Sequence, residues 1–219
     1  MQNAFSGSDK EKALTFAYKV GSGVYINLTN RCTNDCEFCI RRNGAGAYGS
    51  DPLWLEREPT AEEAAEAALA LADANTKEFV FCGYGEPACR ADALIETAKI
   101  LKARRPDTPV RINTNGQADL ILKKDIVPDL VGLVDSVSIS LNAANAEDYV
   151  NLCHPVFGIK AYGAMLEFGR RCASSLPDAA FSVVRGPLND EEIAACAEKA
   201  ASVGVKLRVR DYISENDQN

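Results

Sequence analysis

Histidine is nearly missing from this chain. His154 is the only one in 219 residues, so a single imidazole is on offer as a ligand or a base. Long apolar runs are missing too. None approaches the roughly 20 residues needed to span a bilayer, and residues 1–9 lack the apolar core of a signal peptide. The expectation is a soluble, cytoplasmic protein with no membrane partner. No long basic run occurs, and 24 basic against 31 acidic residues give a net charge of −7, which argues against a nucleic-acid surface. There is no low-complexity linker and no sign of a second domain. With 47% hydrophobic residues, the chain suits one domain over 1–219, with 1–14 and 213–219 flexible.

Eight cysteines are present, but they do not form a disulfide framework, because the chain is long and rich in ordinary core residues. Cys153, Cys172 and Cys196 lie in apolar helical surroundings and read as small buried hydrophobes. Cys32, Cys36 and Cys39 differ. They stand in the run Cys-Thr-Asn-Asp-Cys-Glu-Phe-Cys, and this C-x3-C-x2-C spacing puts three thiolates on one tight loop. A fourth ligand is lacking. Closed structural zinc sites take four ligands, and iron–sulfur clusters usually have four cysteines. A cubane held by three leaves one iron open to a small molecule. A zinc knuckle that borrows His154 or Cys89 is the competing reading.

The rest of the sequence alternates strand and helix. Residues 15–20 and 24–28 read as a hairpin about Gly21-Ser22-Gly23. Further strands are predicted at 78–82, 110–113, 135–141, 180–184 and 205–209. Helices are predicted at 60–75, 91–105, 118–126, 146–152, 160–174 and after Asn189. Capping boxes pair Thr60 with Glu63 and Asn189 with Glu192. Repeated βαβ units give a parallel sheet. A closed eight-unit barrel takes about 250 residues. The prediction is therefore an α/β fold: a partial (β/α)6 TIM-like barrel, open on one side, with a short N-terminal β-hairpin extension. Residues 43–50, rich in glycine, read as a flexible loop.

In α/β barrels the active site sits at the C-terminal strand ends. Those ends carry the cysteine loop, Gly83-Tyr84-Gly85-Glu86-Pro87, Asn113-Thr114-Asn115-Gly116, Ser140 with Asn142, Arg185-Gly186, and Arg210 with Tyr212. A chain that only had to fold would not align its unusual polar residues in this way.

The cysteine motif, with Phe38 before its third cysteine, resembles the radical S-adenosylmethionine (SAM) superfamily. Gly83-Tyr84-Gly85-Glu86-Pro87 resembles that superfamily's Gly-Gly-Glu-Pro motif, with tyrosine in place of the first glycine. The stretch from Leu28 to Arg41 looks like the TatD-linked radical SAM branch, and the layout is also similar to the pyruvate formate-lyase activating enzymes.

The resemblance implies a [4Fe-4S] cluster on Cys32, Cys36 and Cys39 whose open iron chelates the amino and carboxylate groups of S-adenosyl-L-methionine. One electron then yields methionine and a 5′-deoxyadenosyl radical that abstracts hydrogen from a small molecule or a protein or peptide. An electron donor such as flavodoxin or ferredoxin follows from the same resemblance.

Glu86 is the anionic complement for the SAM ammonium, with Gly83 and Gly85 allowing close backbone approach. Asn113 and Asn115 suit ribose or the methionine end, although Asn115-Gly116 is also a good turn by itself. Ser140 and Asn142 stand where the superfamily places ribose contacts. Phe38 is expected near the adenine, and Glu37 lends backbone atoms. Arg185 and Arg210 are candidates for the SAM carboxylate, Arg185 standing against a surface ion pair. Arg41 and Arg42 are either substrate or cluster contacts or a solvated basic pair. The rival class is a non-catalytic iron–sulfur or zinc-binding redox or sensor protein.

Overall fold

The computed structural model describes residues 11–211. Tyr212, the tail at 213–219 and residues 1–10 of the expected flexible start lie outside the described residues. Ala13, inside that start, is tied down: its amide donates to the Trp54 carbonyl and its carbonyl accepts from Glu56.

The chain divides into two compact units. Among the described residues, one comprises 11–32 and 40–112, the other Thr33–Cys39 and 113–211. In the first unit, β1 (Ala17–Val20) runs antiparallel to β2 (Gly23–Ile26), the predicted hairpin. Next come α1 (Ala61–Leu71), β3 (Glu78–Phe81), α2 (Ala91–Arg104) and β4 (Val110–Thr114). β2, β3 and β4 pair in parallel. Val24, Ile26, Phe79, Phe81, Leu94 and Leu101 form its interior. Both halves of the predicted Thr60–Glu63 capping box are present. The buried face of α1 is Ala64, Ala65 and Ala68, small enough for α2 to approach until Thr97 reaches the Ala61 carbonyl at 3.2 Å.

In the second unit, the helix predicted over 118–126 ends early, as α3 (Ala118–Leu122), and a short helix that was not predicted follows it, α4 (Val127–Leu130). Lys123 takes a left-handed φ of 56° and ends α3. The Asp125 carboxylate then caps the Val127 amide at 2.9 Å and restarts the chain. β5 (Ser136–Ser140), α5 (Ala146–Cys153), α6 (Lys160–Ser175), β6 (Asp178–Val184), α7 (Asp190–Ser202) and β7 (Lys206–Arg210) follow. β5, β6 and β7 pair in parallel. The Asn189–Glu192 capping box is formed at α7.

Cys153, Cys172 and Cys196 are fully buried, as their apolar neighbours predict. Burial pushes the Cys172 thiol up to about 12 and the Cys196 thiol to about 11, so both stay protonated packing groups. Within the units the strands pair in sequence order, β1-β2-β3-β4 and β5-β6-β7; β1–β2 is antiparallel and the other pairings are parallel, the α/β pattern expected.

Candidate functional site

In the first unit the glycine motif follows β3 as a tight turn. The Glu86 amide donates to the Arg31 carbonyl at 2.7 Å, and the Glu86 carboxylate accepts from the Ala88 amide at 3.0 Å. The side chain is 3% exposed. Gly85 is required here: a Cβ would run into the Thr29 carbonyl and lie 2.6 Å from the Arg31 carbonyl, both immovable backbone. At Gly83 a Cβ would lie 2.6 Å from Asn27 Cγ. Pro87 opens the short 3-10 turn Pro87–Arg90 that follows.

Sequence reasoning missed what braces this turn. Glu58 accepts the Thr29 hydroxyl at 2.5 Å, is forked by Arg31 at 2.8 and 3.2 Å, and accepts from Arg90 at 2.8 Å. Arg31 also reaches the Cys89 carbonyl at 3.1 Å. Burial works against the Glu58 charge, but the bonds from Thr29 and Arg31 and the charges of Arg31 and Arg90 prevail and hold its carboxyl below the usual range. No spacing in the sequence announces Glu58, because its partners lie 27 to 32 residues away.

Tyr84, the departure from the glycine motif, has a structural use. It is 3% exposed, stands edge-on to Trp54 with ring centroids 5.4 Å apart, and donates to the Gly46 carbonyl at 2.7 Å, with Gly44 at 3.2 Å. The 43–50 segment, predicted to be a flexible loop, is therefore pinned by this phenol and by a Leu53–Ala45 backbone bond of 2.7 Å. Arg41 is buried, with a guanidinium nitrogen 3.5 Å from the Tyr84 carbonyl, whereas Arg42 is exposed. The reading of Arg41 and Arg42 as a solvated pair thus fails at Arg41. Cys89 is no thiolate: burial and then the Glu86 charge push it up to about 12.

The second unit holds Cys36, Glu37, Phe38 and Cys39, all at least partly exposed. The stretch 33–37 is hydrogen-bonded to the end of α5. The Asp35 amide donates to the Cys153 carbonyl at 2.9 Å, Glu37 to Leu152 at 3.1 Å, and Val156 back to Thr33 at 2.8 Å. His154, with a left-handed φ of 43°, turns the chain there. Its Nε2 lies 3.2 Å from Glu37 Oε1, so the sole imidazole faces Glu37.

Beneath the loop, Asn115 donates to the Thr33 hydroxyl at 2.8 Å, and its Oδ1 accepts from the Gln117 amide at 3.0 Å. Asn115 is 7% exposed and acts in the turn, one of its two predicted uses. Gln117 Nε2 donates to Asn34 Oδ1 at 2.7 Å and to the Tyr149 hydroxyl at 3.0 Å, which also accepts from Asn34 Nδ2 at 3.0 Å.

Among the remaining candidates, Asn113 and Ser140 are partly exposed at their strand ends. Asn142 is 3% exposed with a left-handed φ of 58°. Its Nδ2 lies 3.5 Å from Cys153 Sγ, and its buried Oδ1 has no partner among the described residues. Arg185 forms an exposed ion pair with Asp190. Arg210 is partly exposed, and its carbonyl accepts the Arg185 amide at 2.8 Å.

None of the eight cysteines is in a disulfide. Among the described residues, no group of three or more His, Cys, Asp or Glu side chains is arranged to hold a single metal ion. A cubane asks for a different arrangement, one thiolate per iron, and the donor set of three partly exposed cysteines outside any disulfide on one short loop matches that chemistry. No helix among the described residues is long and apolar enough to cross a membrane.

A family model described as the radical SAM superfamily matches residues 26–200. No curated protein matches the chain at a significant level. Solved structures do. SuiB of Streptococcus suis bound to the precursor peptide SuiA is similar over 89% of this chain and 40% of its own, at 16% identity and a TM-score of 0.63. The same protein bound to S-adenosylmethionine aligns over 86% and 38% at 16% identity, TM-score 0.57. A radical SAM methyltransferase of Sphaerobacter thermophilus aligns over 91% and 70% at 16% identity, TM-score 0.51. At these identities the likeness concerns the fold. The chain spans about two fifths of the length of SuiB.

Proposed function

The chain belongs to the radical SAM superfamily, and we propose that it is an enzyme in which Cys32, Cys36 and Cys39 hold a [4Fe-4S] cluster with one iron left for S-adenosylmethionine. When bound, the cluster supplies the electron that splits SAM into methionine and a 5′-deoxyadenosyl radical, which takes a hydrogen atom from the substrate. The chain's own residues bind and orient. The buried Glu86 carboxylate gives the methionine ammonium an anionic partner out of water, and a pair of this kind is strong where solvent is thin. Gly83 leaves room for the Asn27 side chain, and Gly85 lets the turn lie against the Thr29 and Arg31 carbonyls, so that Glu86 stays fixed. Asn113, Ser140 and Asn142 offer donors and acceptors to the ribose, and Phe38 offers a face to the adenine. Arg210 is the better carboxylate partner, since Arg185 is engaged by Asp190.

Two observations carry this reading: three cysteines outside any disulfide share one short loop, and a buried glutamate stands in a glycine turn directly after a parallel strand. A peptide is the favoured substrate class, supported by the precursor peptide bound to the SuiB neighbour. Flavodoxin or ferredoxin is the proposed class of electron donor.

The test is anaerobic reconstitution, dithionite reduction and assay for 5′-deoxyadenosine. Cluster absorbance and deoxyadenosine are expected, and Cys36→Ala abolishes both. Deoxyadenosine formation that survives Cys36→Ala overturns the ligand assignment. A cluster without SAM cleavage favours the redox or sensor alternative.

A further inference from the structure

β7 is an edge strand: among the described residues it pairs with β6 alone. The register tells which main-chain groups that leaves over. The Arg210 carbonyl accepts the Arg185 amide at 2.8 Å, so Arg210 turns its main-chain groups towards β6. Along a parallel ladder this direction alternates from residue to residue, so Arg208 and Lys206 do the same. The amides and carbonyls of Leu207 and Val209 therefore point outward from the sheet, and no hydrogen bond is made to them among the described residues. An open row of this kind is a template for another strand.

The side chains set what that strand can be. By the period of two, Lys206, Arg208 and Arg210 share one face of β7, and Leu207 and Val209 share the other. Lys206 is tied to Asp178 at 2.5 Å. Arg210 has a buried Nε with no acceptor among the described residues, and the SAM carboxylate would supply one in the reading above. Arg208 is exposed, and its guanidinium is paired with nothing among the described residues. Val209, on the opposite face, is 39% exposed. A second copy of the chain is a poor occupant, since it would lay one basic strand against another, and like charges directly opposite repel. An acidic strand fits. Carboxylates at alternate positions meet the basic face, and apolar residues between them cover Leu207 and Val209.

Position links this edge to the candidate site. Ser140, Ser182 and Arg208 stand side by side in the register of β5, β6 and β7. At about 4.8 Å between neighbouring strands, the Arg208 backbone lies roughly 10 Å from that of Ser140, the ribose candidate. A strand added outside β7 runs to the same rim, where Ser140 and Arg210 end their strands. We propose that the outer edge of β7 docks an acidic, extended peptide as an added strand, with Arg208 holding one of its carboxylates. The peptide is the substrate, a role that rests on the enzyme reading above. The docking itself is non-covalent and needs neither cluster nor SAM.

The probe is a short fluorescein-labelled peptide of alternating glutamate and valine, offered to the full chain and read by fluorescence anisotropy. Comparison peptides carry glutamine or lysine in place of glutamate, or N-methyl groups on every second amide in one phase or the other. The glutamate peptide is expected to bind roughly tenfold tighter than the glutamine peptide. Arg208→Glu should turn the preference towards the lysine peptide, with thermal melting read alongside to show that the chain is folded. N-methylation should weaken binding in one phase only, because a single edge of an added strand faces β7. Equal binding of the glutamate and glutamine peptides, or of the two N-methyl phases, overturns the proposal. Binding seen only when Glu215→Gln and Asp217→Asn are introduced assigns the edge to the chain's own acidic residues and overturns it. A wild-type chain that is dimeric by light scattering and binds no peptide assigns the edge to a second copy and overturns it too. A chain that binds the peptide as expected but forms no deoxyadenosine supports the docking and overturns the enzyme reading. One that cleaves SAM yet binds no peptide overturns the docking alone.

Discussion

Replacing Gly85 by alanine tests the glycine turn with one methyl group. The added Cβ would collide with the Thr29 carbonyl and stand 2.6 Å from the Arg31 carbonyl. Ordinary carbon–heavy-atom contact begins near 3.4 Å, so the two strands of chain must part by most of an ångström. Neither obstacle is a side chain that can rotate away. The Arg31 carbonyl is also the acceptor of the Glu86 amide at 2.7 Å, so parting the chains breaks that bond. Overpacking a close contact costs about 1–3 kcal/mol, and the lost hydrogen bond adds about 0.5–1.5 kcal/mol. A total near 3 kcal/mol, at about 2–4 °C per kcal/mol for a chain of this size, lowers the melting midpoint by roughly 6–12 °C. Deoxyadenosine formation should fall further than stability, because Glu86 leaves its position. Calorimetry and the cleavage assay read the two effects separately. A Gly85→Ala chain that melts and cleaves SAM like wild type would refute the close-approach argument.

Tyr84→Phe removes the hydroxyl bonds to Gly46 and Gly44 but keeps the ring on Trp54. It should cost about 1 kcal/mol and open the 43–50 segment to limited proteolysis, while a cleavage pattern identical to wild type would show that the phenol does not pin the loop. Glu58 carries a pH signature. Its folded carboxyl is held below the usual range, so its contribution is present above the ordinary carboxylate value and is lost as pH falls through the folded value. Melting curves from pH 7 down to pH 3 should show wild type losing stability relative to Glu58→Gln over the acid end, and parallel curves would count against the Thr29–Arg31–Arg90 brace.

Periodicity and caps made most of the fold legible. The Thr60–Glu63 and Asn189–Glu192 boxes mark their helix starts because a capping side chain and its partner are three residues apart, a local signal. The break at Lys123 was not legible. Nothing about a lysine announces a left-handed φ, and Asp125, which restarts the helix, looks like any surface carboxylate. The candidate site divides in the same way. Its contiguous parts, the cysteine run and the glycine turn, are strings with meaning at fixed spacing. Its bracing is non-local: Glu58 meets Arg90 across 32 residues, and Asn34 meets Tyr149 across 115. Such pairs carry no periodic mark, so only the folded chain reveals them.

The same distinction explains why Tyr84 can stand where the motif it resembles has glycine. Gly85 faces backbone on its Cβ side, Thr29 and Arg31, and has no freedom to change. Tyr84 faces side chains and a loop, Trp54 and residues 44–46, which can be built around a ring. A large residue fits at the position that faces an aromatic side chain and a loop, and is excluded at the one whose Cβ would run into the Thr29 and Arg31 carbonyls. The tyrosine therefore leaves the Gly85-Glu86-Pro87 turn intact and adds a tether for the glycine-rich segment that follows the three cysteines in sequence.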